Sequence, residues 1–404
     1  MLQLDALLPL LIPLLPWLII LLAWMILFIV DAVFHLEKHG VDVGPFMAMA
    51  RTQRFNNLLN RIGRWHPRAW RYLWSGFVGV CFAFSIIGFY LLILNLISFF
   101  ADFGLLPQAA SPGSPGPIVP LVPGVTMSFS FFLALLLPLI VSIIFHEMGH
   151  GIAARSDDIP VKSSGLFALF ILFGAFVEPD EEYVKVKTTR RERARFFAAG
   201  SAANLTLGLV AVVLMLTLVS RVPQGVLITS VSTGSSADGV LSPWTVITGM
   251  NETSIATADD LSAFLDNTNP GDLIIFTING APVELVVGAH PDNSSQAYIG
   301  IYLTTYVPLV PPLNLLGPAF SLEFQRGLLW FYVISLSLGI MNLLPIPPLD
   351  GDRLFKELID ATISLERRSG QVLLYGLRFF ALGLLILNII FTFLRPDLLF
   401  LFFG

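Results

Sequence analysis

Cysteine is nearly missing from this chain. Cys81 stands alone among 404 residues, so neither a disulfide framework nor a cysteine-based metal cluster can be built within it. Charge is scarce too. Charged residues make up 13% against 55% hydrophobic, a balance foreign to an ordinary soluble domain. No basic tract argues for nucleic acid as a partner, and the net charge of −5 agrees. From Val222 to Gln325 there is no Lys or Arg at all. No internal repeat is evident, which argues against a transporter built on paired half-repeats.

What is present is apolar and long. Six runs, near residues 8–30, 72–100, 127–154, 196–219, 327–344 and 373–394, approach or exceed the roughly 20 residues that cross a bilayer core. The first reads as a retained span, because no basic region precedes it as in a removed signal peptide. Lys and Arg gather between runs: Arg51 to Arg71, Lys185 to Arg195, and Arg353 to Arg368. Under the positive-inside rule these loops are cytoplasmic. The Pro/Gly/Ser stretch Pro107 to Gly124 and the insert after Val222 lack such charge and read as extracytoplasmic. Residues 159–182 are apolar but broken by Pro160, Gly165 and Gly174; they predict a hairpin or re-entrant piece, since the continuous part is too short to span.

The third run ends in His146-Glu147-Met148-Gly149-His150. Histidines four apart share a helix face, and H-E-x-x-H is a zinc-protease pattern in which Glu147 serves as general base. Ionisable groups at membrane depth are costly unless they bind something or reach water. A second pair, His35 and His39, has the same spacing. Its glutamate, Glu37, sits in the third position, about 200° round a helix from the first histidine, and the segment is charged, so it is set aside as a solvated helix end. A zinc site needs a third protein ligand. Few residues of the right chemistry lie at membrane depth, and Asp350, in a Pro-rich turn after the fifth run, is one of them. Alternating topology brings His146, His150 and Asp350 to similar depth on the cytoplasmic side.

The insert predicts a small α/β domain. Gly225 to Val231 reads as a strand, Thr257 to Phe264 as a helix capped by Thr257, and Leu273 to Ile278 as a strand turned by Asn279-Gly280 into Val283 to Val287. With Ser242-Pro243-Trp244, Met250-Asn251 and Pro270-Gly271-Asp272, that order resembles a PDZ domain of the bacterial protease-associated kind. A peptide or protein segment is the expected ligand, added as a strand.

Taken together, the motif at His146 to His150, the Asn342 to Pro347 and Leu349-Asp350-Gly351 segments, and the PDZ-like insert resemble the site-2 protease family of intramembrane zinc metalloproteases. Gly200 to Asn204 is similar to that family's glycine-x-x-x-asparagine element, and Gly174 to Val177 to its membrane-associated strand. Asp352 departs from the second glycine that often follows the family's Asp-Gly. The resemblance implies a polytopic α-helical membrane protein of about six spans with one inserted PDZ-like domain. It also implies one zinc held by His146, His150 and Asp350, Glu147 as catalytic base, and membrane-anchored protein substrates in the lipid bilayer. Asn342, Asn204 and Gly174 are candidates for substrate-binding or transition-state support. The expected organisation is a membrane domain over 1–220, the PDZ-like domain over 221–304, and a membrane domain over 305–404. The competing reading is a membrane receptor or scaffold whose metal site is structural.

Overall fold

In order, the chain folds into α1 (Leu15–Phe34), β1 (Val41–Gly44), β2 (Met47–Arg51), α2 (Gln53–Trp65), α3 (Pro67–Asp102), α4 (Phe129–Ser156), β3 (Val161–Leu169), β4 (Leu172–Pro179), α5 (Glu181–Lys187) and α6 (Arg190–Leu218). After the insert come α8 (Gly317–Asn342), α9 (Asp350–Thr362) and α10 (Arg368–Phe393). These come from a computed structural model that describes residues 15–102 and 118–394. The start of the first run and most of the Pro107 to Gly124 stretch lie outside the described residues. Among the described residues six helices, α1, α3, α4, α6, α8 and α10, are long and apolar enough to span a membrane. The protein is a polytopic helical membrane protein. Long helices suit that medium because they satisfy every backbone hydrogen bond internally.

The chain divides into two compact units, Met1–Gly208 with Phe331–Gly404, and Leu209–Trp330. In the first, a four-stranded sheet runs in the order β1-β2-β3-β4. The predicted hairpin over 159–182 is there as β3 and β4, from Ser164↔Val177 to Leu169↔Leu172. The first two strands were not predicted; the polar look of residues 35–71 concealed them. The second of them, β2, meets β3 closely, and a side chain at Gly165 would run into the Ala50 carbonyl. The hairpin tip is held by α1, whose Trp24 indole donates to the Phe170 carbonyl at 2.8 Å. Trp17 stacks on the Phe170 ring at 5.8 Å.

Below the sheet, α2 lies on α4. Leu59 is fully buried against Gly151, where a Cβ would come within 2.6 Å of its Cδ1. The ends of three spans are tied together by charge. Asp157, the α4 C-cap, receives two bonds of 2.7 Å from Arg195 of α6 and lies 3.0 Å from Arg71 of α3. A carboxylate this buried is tolerated because both cations reach it.

The second unit holds β5 (Val226–Val231), β6 (Val246–Met250), β7 (Thr253–Ser254), α7 (Ala258–Leu265), β8 (Leu273–Ile278), β9 (Ala281–Val286), β10 (Gly288–His290), β11 (Asn293–Tyr298) and β12 (Ile301–Thr305). Its main sheet runs β12-β5-β6-β8-β9, with β7 paired to β6. The predicted helix forms with a full capping box, Thr257 and Asp260 satisfying each other's backbone amides. Asn279 and Gly280, at φ 50° and 82°, make the tight turn that matches the twist of flanking strands. Ile228, Ile247, Met250, Leu261 and Phe276 form the core. β6, β7, β10, β11 and β12 lie outside the strands expected from the sequence, since their alternation is diluted by Gly, Ser and Thr.

Candidate metal centre

Helix α4 begins at an N-cap, Ser128, whose hydroxyl accepts from the Phe131 amide. It then runs unbroken through the motif, so His146 and His150 stand one turn apart. Their Nε2 atoms are 3.1 Å from each other. Asp350, the first residue of α9, brings Oδ2 to 3.1 Å from His146 Nε2 and 2.9 Å from His150 Nε2. Both histidines are buried, at 7% and 6% exposure. The three residues form a group able to hold a metal ion.

The donor set fits zinc. Ligands at about 2.0–2.1 Å in a tetrahedron sit about 3.3 Å from one another, a few tenths beyond the separations found. The His150 Nδ1–H donates to the Phe196 carbonyl at 2.8 Å, which leaves Nε2 as a lone pair facing Asp350. Space is reserved as well. A side chain on Gly200 of α6 would project onto both Nε2 atoms, 2.5 Å from that of His146. Gly149 likewise lets α4 rest directly on the Ala199 backbone, the close approach small residues permit between membrane helices.

Asn204 sits against the other face of His146, its Nδ2 3.2 Å from Nδ1. The Asn204 Oδ1 is buried without a partner. Turning the amide by 180° lets Oδ1 accept an Nδ1–H, leaving Nε2 of His146 as a lone pair too. One rotation thus satisfies the orphan oxygen and suits both imidazoles to a metal.

Glu147 stands next to His146 on α4 but outside the ligand group. Its Oε2 accepts the Val177 amide of β4 at 2.9 Å, and β4 is the edge of its sheet. Gly174 lies on that strand against α4, where a Cβ would come within 3.1 Å of Ile143. Asn342 ends α8, partly buried, and among the described residues no hydrogen bond joins its side chain to the three ligands. Asp352 is engaged by Arg378 of α10 in two bonds, 2.6 and 2.7 Å; Asp350 alone turns to the histidines. Helix α9 is fixed further by Arg193 to Glu357 at 2.7 and 2.8 Å and Arg190 to Asp360 at 2.9 Å. Gly351 lets its first turn abut the Leu343 and Leu344 carbonyls.

Sequence reasoning missed three of these parts. The Phe196 carbonyl and Val177 amide are backbone groups, which no residue type advertises. Arg378 did carry a signal: a lone arginine within an apolar span calls for a carboxylate.

The sequence model of peptidase family M50 matches residues 134–384. An uncharacterized protein of Methanocaldococcus jannaschii, MJ0971, is 27% identical over 318 residues, covering 76% of each chain. The PDZ domain of an SdrC-like protein from Listeria monocytogenes is 19% identical, over 20% of this chain and 87% of its own, with a TM-score of 0.19. Its counterpart from Listeria innocua is 20% identical, over 20% and 92%, with a TM-score of 0.18.

Proposed function

Given that the chain belongs to peptidase family M50, the site-2 protease family, we propose that it is an intramembrane zinc endopeptidase cutting the membrane-spanning segments of anchored proteins. The observation that carries this reading is the meeting of His146 Nε2, His150 Nε2 and Asp350 Oδ2 at the end of a membrane-spanning helix that also bears Glu147. Two neutral imidazoles and a carboxylate leave a fourth position free, as catalytic zinc requires.

Bound there, zinc supplies an acidified water and polarises the peptide carbonyl. His146 and His150 would hold it by Nε2, with Asn204 and the Phe196 carbonyl fixing their rings. Glu147 accepts the proton from the attacking water and passes it to the leaving amine. In waiting, that carboxylate is held by the Val177 amide. A helical substrate must unwind before its carbonyl can be reached, and the β4 edge beside Gly174 supports pairing with the extended segment. Asn342 is kept as a candidate for supporting substrate or transition state.

Loop charge supports a cytoplasmic metal centre and an extracytoplasmic insert. Residues 221–304, read as PDZ-like, would dock the trimmed outer part of a substrate. The test is Glu147→Ala in purified protein. Loss of about 10²–10⁴-fold in cleavage with zinc retained is the expected result; undiminished cleavage would sink the reading. Zinc content of Asp350→Ala, expected to fall sharply, tests the third ligand separately.

A further inference from the structure

The basic segment before α3 has a use beyond setting orientation. Between Asp42 and Asp102 the sequence has no Asp or Glu, but it has Arg51, Arg54, Arg61, Arg64, Arg68 and Arg71. Arg51 is taken by Asp42, and Arg71 by Asp157 and Asp158. Arg54, Arg61, Arg64 and Arg68 are exposed, and no carboxylate among the described residues pairs with them.

Three of the four share one face. At about 100° per residue, Arg54, Arg61 and Arg64 of α2 fall within an arc of about 80°. Leu58 and Trp65, exposed by 44% and 74%, fall within about 40° of Arg54 on the same side. The opposite side carries the buried Asn56, Leu59 and Gly63, packed on α4. Arg68 continues the cationic strip at the first turn of α3, a helix end that itself favours anions. Tyr72, exposed by 80%, follows one turn later. Charges that served orientation alone could lie anywhere in the loop. Here they are interleaved with exposed apolar side chains on a short helix beside a span, the pattern of a helix that lies in the bilayer surface.

We infer that the outer face of α2, with Arg68, is a docking surface for the phosphate headgroups of anionic phospholipids. Arginine suits such a partner, because its planar fork meets phosphate oxygens two at a time. Leu58 and Trp65 enter the acyl boundary between the headgroups. The contact also bears on the metal helix. Leu59 and Gly63 of α2 press on Gly151, Ile152 and Arg155, the turn just past His150, so the headgroups set the depth of that end of α4.

The test uses full-length protein reconstituted in phosphatidylcholine vesicles containing about 30% phosphatidylglycerol, an anionic surface of the kind that attracts such segments. Spin-labelled lipids of both kinds report which are held at the protein surface. Wild type should favour phosphatidylglycerol about ten-fold, and the variant Arg54→Gln/Arg61→Gln/Arg64→Gln/Arg68→Gln about two-fold, as should wild type in high salt. Lys185→Gln/Lys187→Gln/Arg191→Gln, which thins the second basic run, should keep the wild-type preference. Soluble glycerol phosphate should not compete. An unchanged preference in the fourfold variant overturns the inference; so does an equal loss from both variants, which would mean diffuse attraction, or effective competition by the free phosphate. Arg61→Gln alone, expected to lose about two-fold, carries the same decision if the fourfold variant fails to accumulate. Zinc and cleavage enter none of these readings.

Discussion

Two pairs of histidines four residues apart have come to opposite ends in this molecule. His146 and His150 stand on one unbroken helix with their Nε2 atoms 3.1 Å apart. His35 has a left-handed backbone at φ 51°, and His39 closes a 3-10 turn, Leu36–His39. A 3-10 turn has three residues per turn, so spacing four no longer aligns the rings. The first pair is also framed by what surrounds it: Gly200 leaves room, Asn204 and the Phe196 carbonyl set the rings, and Asp350 completes the set. Spacing is the smaller part of a metal site. The frame is the larger.

Four tests would break or sharpen that contrast. Gly200→Val should do most, because its side chain would fill the space between the two Nε2 atoms. Zinc content by elemental analysis should drop from about one per chain to near none, in protein that still elutes as a folded species. Next comes Arg378→Leu, which strands the Asp352 carboxylate. Breaking a buried pair costs about 3–5 kcal/mol, and the partial exposure of Arg378, 22%, puts the expected loss at the lower end, about 3 kcal/mol, read as a fall in unfolding temperature. Adding Asp352→Ala should restore most of it. Asn204→Ala removes an outer partner of a ligand, and such partners are worth about 10–100-fold in metal affinity; competition with a chromophoric chelator measures it, and wild-type affinity would remove Asn204 from the frame. Last, His35→Ala/His39→Ala should change zinc content and cleavage by less than about two-fold. A large loss there would overturn the contrast itself.

Much of this was legible beforehand because it rests on period and composition. The runs around 72–100 and 127–154 are so apolar that only a membrane helix suits them. Thr257 and Asp260 announce a helix start, and Asn279-Gly280 a hairpin, through local chemistry alone. The motif at His146 carried its own spacing. What stayed hidden depends on distant meetings. β1 and β2 are short, four and five residues, and β2 finds its second partner, β3, only beyond α4. The Asp352 and Arg378 pair joins two elements that are near in sequence but different in kind. The Phe196 carbonyl belongs to a residue whose side chain says nothing of its role. The alternation that would have marked β11, Asn293–Tyr298, is lost in a run of small polar residues.

The sheet has a consequence for how the chain is made. β2 lies between β1 and β3, and Arg51 pairs with Gly165, so one edge of β2 has no partner until α3 and α4 have both left the ribosome. At about 5–20 residues per second, that edge waits on the order of ten seconds during biosynthesis. An unpaired strand edge invites the wrong neighbour. The brevity of β2, five residues (Met47–Arg51) with an arginine at its end, keeps that invitation weak until β3 arrives.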